Sequence, residues 1–100
     1  MRLRLLVVGE AERQIREAAD WWHANRPAAP DLLRQELTRA FELITTQPGI
    51  GTKALDASIP GVRRLHLFRT RYLLYYRVRD DEAVEVLALW HTSRGSRPPV

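Results

Sequence analysis

Residues 62–69, 72–79 and 83–90 read as strands, with only two or three residues between one and the next. A link that short can reverse a chain, but it cannot carry it back to start a parallel neighbour, which takes about a dozen residues or more. The three stretches are therefore predicted to form an antiparallel meander, with Asp80-Asp81-Glu82 as the polar turn of the second hairpin. Arginines at 63, 64, 69, 71 and 77 are interleaved with Leu, Phe and Tyr, and the third strand runs directly into His91 and Arg94. A small sheet this rich in guanidinium is suited to holding an anion or to being covered by a partner.

Upstream of the meander the period changes. Residues 2–8 alternate and then turn apolar, which predicts a first strand ending at Gly9. From about Glu10 to Asn25, Ala11, Ile15, Ala18 or Ala19, and Trp22 recur at helical spacing, with Glu12, Arg13, Arg16, Glu17 and Asp20 opposite them. Pro27 ends that helix, because the residue before a proline is pushed out of the helical region. A second helix, from about Ala28 or Asp31 to Thr46, has the seam Leu33, Leu37, Ala40, Phe41 and Ile44, with Pro27 or Pro30 expected in its first turn. A link this brief folds the pair into a hairpin.

Gln47-Pro48-Gly49-Ile50-Gly51 breaks the pattern, and a loop is expected from there through Gly61. Gly95, Pro98 and Pro99 mark residues 91–100 as a partly flexible tail. The expected fold is a single α+β domain over residues 1–100, two-layered and ordered β-α-α-β-β-β. Its helical hairpin lies on one face of a small, mostly antiparallel four-stranded sheet, with the first strand joining an edge. The other face is expected to have no second layer within the chain.

Composition narrows the partners. The net charge is +4, and residues 53–100 hold nine Lys or Arg against five acidic residues, whereas residues 1–52 are balanced at seven each. Lys53 is the only lysine. This balance admits a nucleic-acid or acidic-protein partner. The chain has no cysteine, which excludes disulfides and thiolate chemistry. Its histidines lack ligand spacing, so no metal is expected. No Gly-rich phosphate loop follows Gly49-Ile50-Gly51, and no cofactor is expected. Leu5-Leu6-Val7-Val8 is too short to span a membrane, and the acidic Glu10-Ala11-Glu12 stands where a signal cleavage site would lie. A cytoplasmic location is the expectation.

The order of elements and the wording of several segments resemble the RelE/ParE superfamily of bacterial toxin–antitoxin toxins, over nearly the whole chain. The resemblance rests on Glu17-Ala18-Ala19-Asp20-Trp21-Trp22, Gln47-Pro48-Gly49, Gly61-Val62-Arg63-Arg64-Leu65, Arg71-Tyr72-Leu73-Leu74-Tyr75-Tyr76-Arg77-Val78, Val84-Glu85-Val86-Leu87 and His91-Thr92-Ser93-Arg94. It implies a toxin neutralised by a cognate antitoxin and directed either at DNA gyrase, as in ParE-like members, or at messenger RNA on the ribosome, as in RelE-like nucleases. Leu73 stands where the nucleases usually carry an arginine, and their lysines between the helices and the sheet are represented by Lys53 alone. Both departures point to the ParE-like branch. A third reading is an inactive homologue that acts only with its antitoxin as co-repressor.

If the chain is a nuclease, His91 is expected to move the proton while Arg63 or Arg64, the latter the better candidate, clamps the phosphate with Arg94. The blander reading, a histidine capping the end of the last strand, is preferred. Target binding is assigned to Arg64, His66, Arg71, Tyr76 and Arg94, and antitoxin binding to Trp21, Leu33 and Phe41. Alternation puts Leu65 and Leu67 toward the helices and Arg64, His66 and Phe68 on the open side. It also sends Tyr75 and Tyr76 to opposite faces. Arg63 and Arg69 are expected near strand ends, reaching solvent or pairing with acidic helix residues.

Overall fold

The computed structural model describes residues 2–80 and 82–100. Along the chain run β1 (Arg4–Val7), α1 (Gly9–Asn25), α2 (Leu32–Thr46), β2 (Thr52–Lys53), β3 (Arg63–Leu67), β4 (Tyr72–Arg79) and β5 (Ala83–His91). They form one sheet in the order β1-β5-β4-β3-β2. The meander β3-β4-β5 is antiparallel, and β1 joins the free side of β5 in parallel. Of the expected polar turn, Asp81 lies outside the described residues, while Asp80 adopts φ 50°, the left-handed geometry a tight reversal needs.

The sheet has five strands, not the expected four. The additional one, β2, is only two residues long and pairs Thr52 with Arg64 and Lys53 with Arg63. A two-residue strand has no alternation of its own; the edge of β3 creates it. The two prolines also fall outside α2, in the link that precedes Leu32.

Each helix buries one stripe. In α1 the stripe is Ala11, Ala18, Ala19 and Trp22, and in α2 it is Leu33, Leu37, Ala40, Ile44 and Thr45. The Trp22 indole N–H donates to the carbonyl of Ala29 at 2.9 Å, which fixes the interhelical link to the end of α1. Glu10 and Glu12 lie in the first turn of α1, where a helix favours negative charge. The guanidinium of Arg13, bonded to Glu10, holds the Glu10 carboxyl below the usual range.

The helical stripes pack on Leu67, Leu74, Tyr76, Val84, Val86 and Leu89 to form the main core. Fully burying one such large apolar side chain contributes roughly 1.5–3 kcal/mol. A bulge maintains this face. Tyr75 pairs with Ala88 and Tyr76 with Val86, so β5 carries Leu87 as an extra residue. The shift leaves Val86 and Leu89 toward the helices and brings Leu87 and Ala88 to the opposite side.

That opposite side is not bare. Tyr75, Leu87 and Ala88 are buried there beneath Ala54 and Val62, with Ala57, Ile59 and Val100 packed at the margin. Residues 54–62 form a strap across the sheet, and the last residues lie beside it. The Ser58 amide donates to the Val100 carbonyl at 2.8 Å, and Arg97 pairs with Asp56 at 3.2 Å. The tail expected to fray is thus tied to the strap, and the face expected to lack a second layer has a partial one. The apolar residues of the strap are too irregularly spaced to announce a covering segment.

Candidate functional site

The arginines of the sheet divide into neutralised and free groups. Glu85, largely shielded from water, accepts Arg77 at 2.9 Å and lies 3.8 Å from Arg79. Arg63 donates to the carbonyl of Gly51 at 2.8 Å, so it serves the main chain rather than a ligand. Arg64 and Arg94 form no ion pair among the described residues. Both line an open concavity of about 570 Å³ with Trp90, His91 and Arg97. The Arg94 guanidinium lies 3.9 Å from the centroid of the Trp90 ring. In turn, the Trp90 indole donates to the Ser96 carbonyl at 2.8 Å, which fixes the plane on which Arg94 rests.

His91 ends β5, and its ring stands edge-on to Tyr72 at 4.9 Å. The Ser93 amide donates to His91 Nδ1 at 3.1 Å, and the Ser93 hydroxyl lies 2.7 Å from the same nitrogen. A main-chain N–H can only donate, so Nδ1 is an acceptor and the proton of the neutral ring sits on Nε2. This is the strand-end capping expected of His91 in its structural role. The pairing of His91 with Tyr72 puts its side chain on the helix side of the sheet, whereas Arg64 lies on the strap side. They reach the concavity from opposite faces. A smaller recess on the helix side, about 190 Å³, joins His91 and Arg94 to Glu17 and Tyr72. Burial pushes the Tyr72 phenol up, against the opposing pull of the Arg94 charge.

The arrangement can bind an anion: two guanidiniums, one held on an indole, face a common hollow at the end of β5. Among the described residues no carboxylate or lysine lines the concavity, and its one phenol, Tyr75, is buried.

The other predicted site residues divide sharply. His66 and Arg71 are exposed, His66 stacked on Phe68 at 4.3 Å and Arg71 at φ 66° in the β3–β4 turn. Tyr76 is completely buried. Its hydroxyl donates to the Pro48 carbonyl and accepts from the Gly51 amide, each at 2.8 Å. It fastens the chain after α2 and has no surface with which to touch a target. Gly51 allows this approach, since a Cβ there would stand 2.7 Å from the Tyr76 oxygen and 2.8 Å from the Arg64 carbonyl. Leu33, assigned to the antitoxin, is likewise in the core at 1% exposure. Phe41 is half-buried against the core, and Trp21 is exposed, edge-on to Trp22, with Arg26 over its ring at 5.0 Å.

Sequence reasoning did not single out Glu36 or Phe68. Glu36, on α2, accepts the amides of Arg69 at 2.9 Å and Thr70 at 3.0 Å, and the Thr70 hydroxyl at 2.5 Å. A helix-surface glutamate carries no local sign of so distant a partner. Phe68 had a sign: a large apolar residue beside a turn rich in arginine.

A family model described as the ParE toxin of the type II toxin–antitoxin system parDE matches residues 6–95. Among solved structures, a chain of the chromosomal ParDE system from P. aeruginosa superposes with a TM-score of 0.71 at 18% identity, covering 90% of this chain and 96% of that one. The YoeB dimer from Staphylococcus aureus gives 0.60 at 17% identity, with 91% and 98% covered. A mutant of the E. coli toxin RelE in the free state gives 0.59 at 20%, with 93% and 86% covered. These likenesses show the fold. Comparison with curated proteins finds no match. Because the family model spans the chain from β1 to the start of the tail, the chain belongs to the ParE toxin family of type II toxin–antitoxin systems.

Proposed function

We propose that this chain inhibits growth by binding a macromolecular target, DNA gyrase, without cutting RNA, and that its cognate antitoxin prevents this. The observation that carries the reading is the state of His91. Cleavage of RNA without metal needs one group to take a proton and another to give one, beside a clamp for the phosphate. The clamp is available in Arg64 and Arg94, but Nδ1 of His91 is engaged by Ser93, and Glu17, the carboxylate that shares the helix-side recess with His91, is paired with Arg13 at 2.7 Å. What remains is a recognition surface. Family membership implies the antitoxin as partner.

The competing reading, a ribosome-dependent endonuclease, is favoured by the convergence of His91, Arg64 and Arg94 on one hollow. Expressing the chain without antitoxin separates the two. Gyrase poisoning predicts DNA breaks and an SOS response, with supercoiling by purified gyrase inhibited. Cut messages with intact DNA would overturn it. His91→Ala sharpens the comparison: the nuclease reading requires a loss of about 100-fold or more in RNA cleavage. The binding reading leaves growth inhibition within about threefold, as for a residue at the rim of an interface.

A further inference from the structure

Phe68 is 77% exposed in a turn that is otherwise locked. From α2, Glu36 holds the amides of Arg69 and Thr70, and Thr70 is 1% exposed beneath them. On the far side the Thr92 amide donates to the Arg71 carbonyl at 2.9 Å, while the Arg71 amide donates to Leu67 at 2.8 Å. Arg71 is held at φ 66°, a conformation most side chains avoid. One ring and two guanidiniums are thereby presented on a backbone fixed from both flanks. Neither Arg69 nor Arg71 forms an ion pair among the described residues.

We propose that the β3–β4 turn is the knob by which the toxin grips its protein target: Phe68 enters an apolar socket while Arg69 and Arg71 meet carboxylates at the socket's rim. This rests on the reading that the chain acts by binding a protein. Aromatic and arginine side chains are enriched at protein interfaces and depend on a desolvated pocket for their effect. A turn already ordered loses little entropy on docking, which a rigid convex knob exploits against a folded partner. Single-stranded nucleic acid is a poorer fit, because its binders set successive aromatic faces along a groove. Here a single ring stands out, and His66 stacks against it at 4.3 Å. Below Phe68 the apolar surface continues into a hollow of about 370 Å³ lined by Leu32, Leu43, Leu65 and Leu67, between α2 and β3. Side chains of a protein partner suit that continuation, whereas a phosphodiester does not.

Growth inhibition on induction without antitoxin tests the proposal, read beside antitoxin affinity and thermal stability for the same full-length variants. Phe68→Ala is expected to lower inhibition by about tenfold or more at equal protein level, Phe68→Trp to retain it, and Arg69→Glu to lower it likewise. Antitoxin affinity should stay within about twofold for all three. Full inhibition by Phe68→Ala overturns the proposal. So does a parallel loss of antitoxin affinity, which assigns the turn to the antitoxin, or loss of binding to RNA or DNA in a gel shift, which assigns it to nucleic acid. A wild-type chain without growth inhibition overturns the toxin reading itself. An inhibitory wild type matched by Phe68→Ala sinks the knob alone.

Discussion

Tyr76 carries a polar hydroxyl into the buried core, and both of its hydrogen bonds run to main chain just beyond α2. Tyr76→Phe keeps the ring but strands the buried Gly51 amide, at a cost of roughly 1–3 kcal/mol. Urea unfolding should show a lower midpoint with an unchanged slope, since the exposed area on unfolding is the same. An alkaline arm follows from the phenol's ionisation. Burial pushes the Tyr76 phenol up, opposed by its bond from Gly51 and the charge of Arg63. The unfolded chain therefore releases this proton first, near the ordinary value of about 10. The associated stability is complete below that pH and is lost as pH rises through the folded-state value. Tyr76→Phe should show a shallower alkaline loss than the wild type, with Tyr72 still contributing because burial raises its phenol too. Equal slopes for the two proteins would refute this account. Alternation correctly separates Tyr75 from Tyr76 between the faces. It does not reveal that both are buried, because the strap over Tyr75 has no periodic pattern.

Among the elements, α1 and the meander strands are legible within a residue or two, and α2 at its end, with its start one residue from the Asp31 bound and four from Ala28, since each has a face whose period matches its geometry. What the sequence conceals is whatever depends on a neighbour: β2, the strap and the Glu36 anchor. None has a local signal, because each is defined by the surface it meets. The same separates the legible part of the site from the hidden part. Arg64, His91 and Arg94 are brought together by strand order, which the turns dictate. Leu33 was misplaced because a helix seam looks alike whether it meets its own sheet or a partner. The Glu36 anchor can be tested where it acts. Glu36→Ala removes three bonds to a carboxylate, and such charge-assisted bonds contribute about 1.5–3 kcal/mol when lost together with their geometry. Amide exchange at residues 69–70 should accelerate well beyond the change in the core strands. Uniform acceleration across the sheet would mean that Glu36 supports the whole fold instead of the turn.

The whole molecule carries a net charge of +4, yet the arginines of the meander and tail do not all contribute alike. Glu85 quenches Arg77 and Arg79, and Asp56 quenches Arg97, whose guanidinium holds the Asp56 carboxyl below its ordinary value. Of the arginines in residues 63–97, those with neither an ion pair nor a main-chain bond among the described residues lie at two places, the hollow of Arg64 and Arg94 and the turn of Arg69 and Arg71. An acidic antitoxin segment should be steered toward the first of these, the hollow of Arg64 and Arg94, because opposite potentials raise encounter rates and salt screens them. Raising NaCl from about 0.05 M to about 0.5 M should slow association by about tenfold or more while dissociation changes little. Steering alone would be predicted from composition; its placement comes from the pairing. Arg64→Glu should therefore slow association more than Arg77→Glu, even though both add the same charge change. Reversing Arg77 also sets it against Glu85, which is buried enough to lower stability, so the comparison is made on association rates of protein that remains folded. Equal slowing by the two variants would show that net charge governs the encounter, and that the sorting of arginines within the fold has no bearing on how the antitoxin arrives.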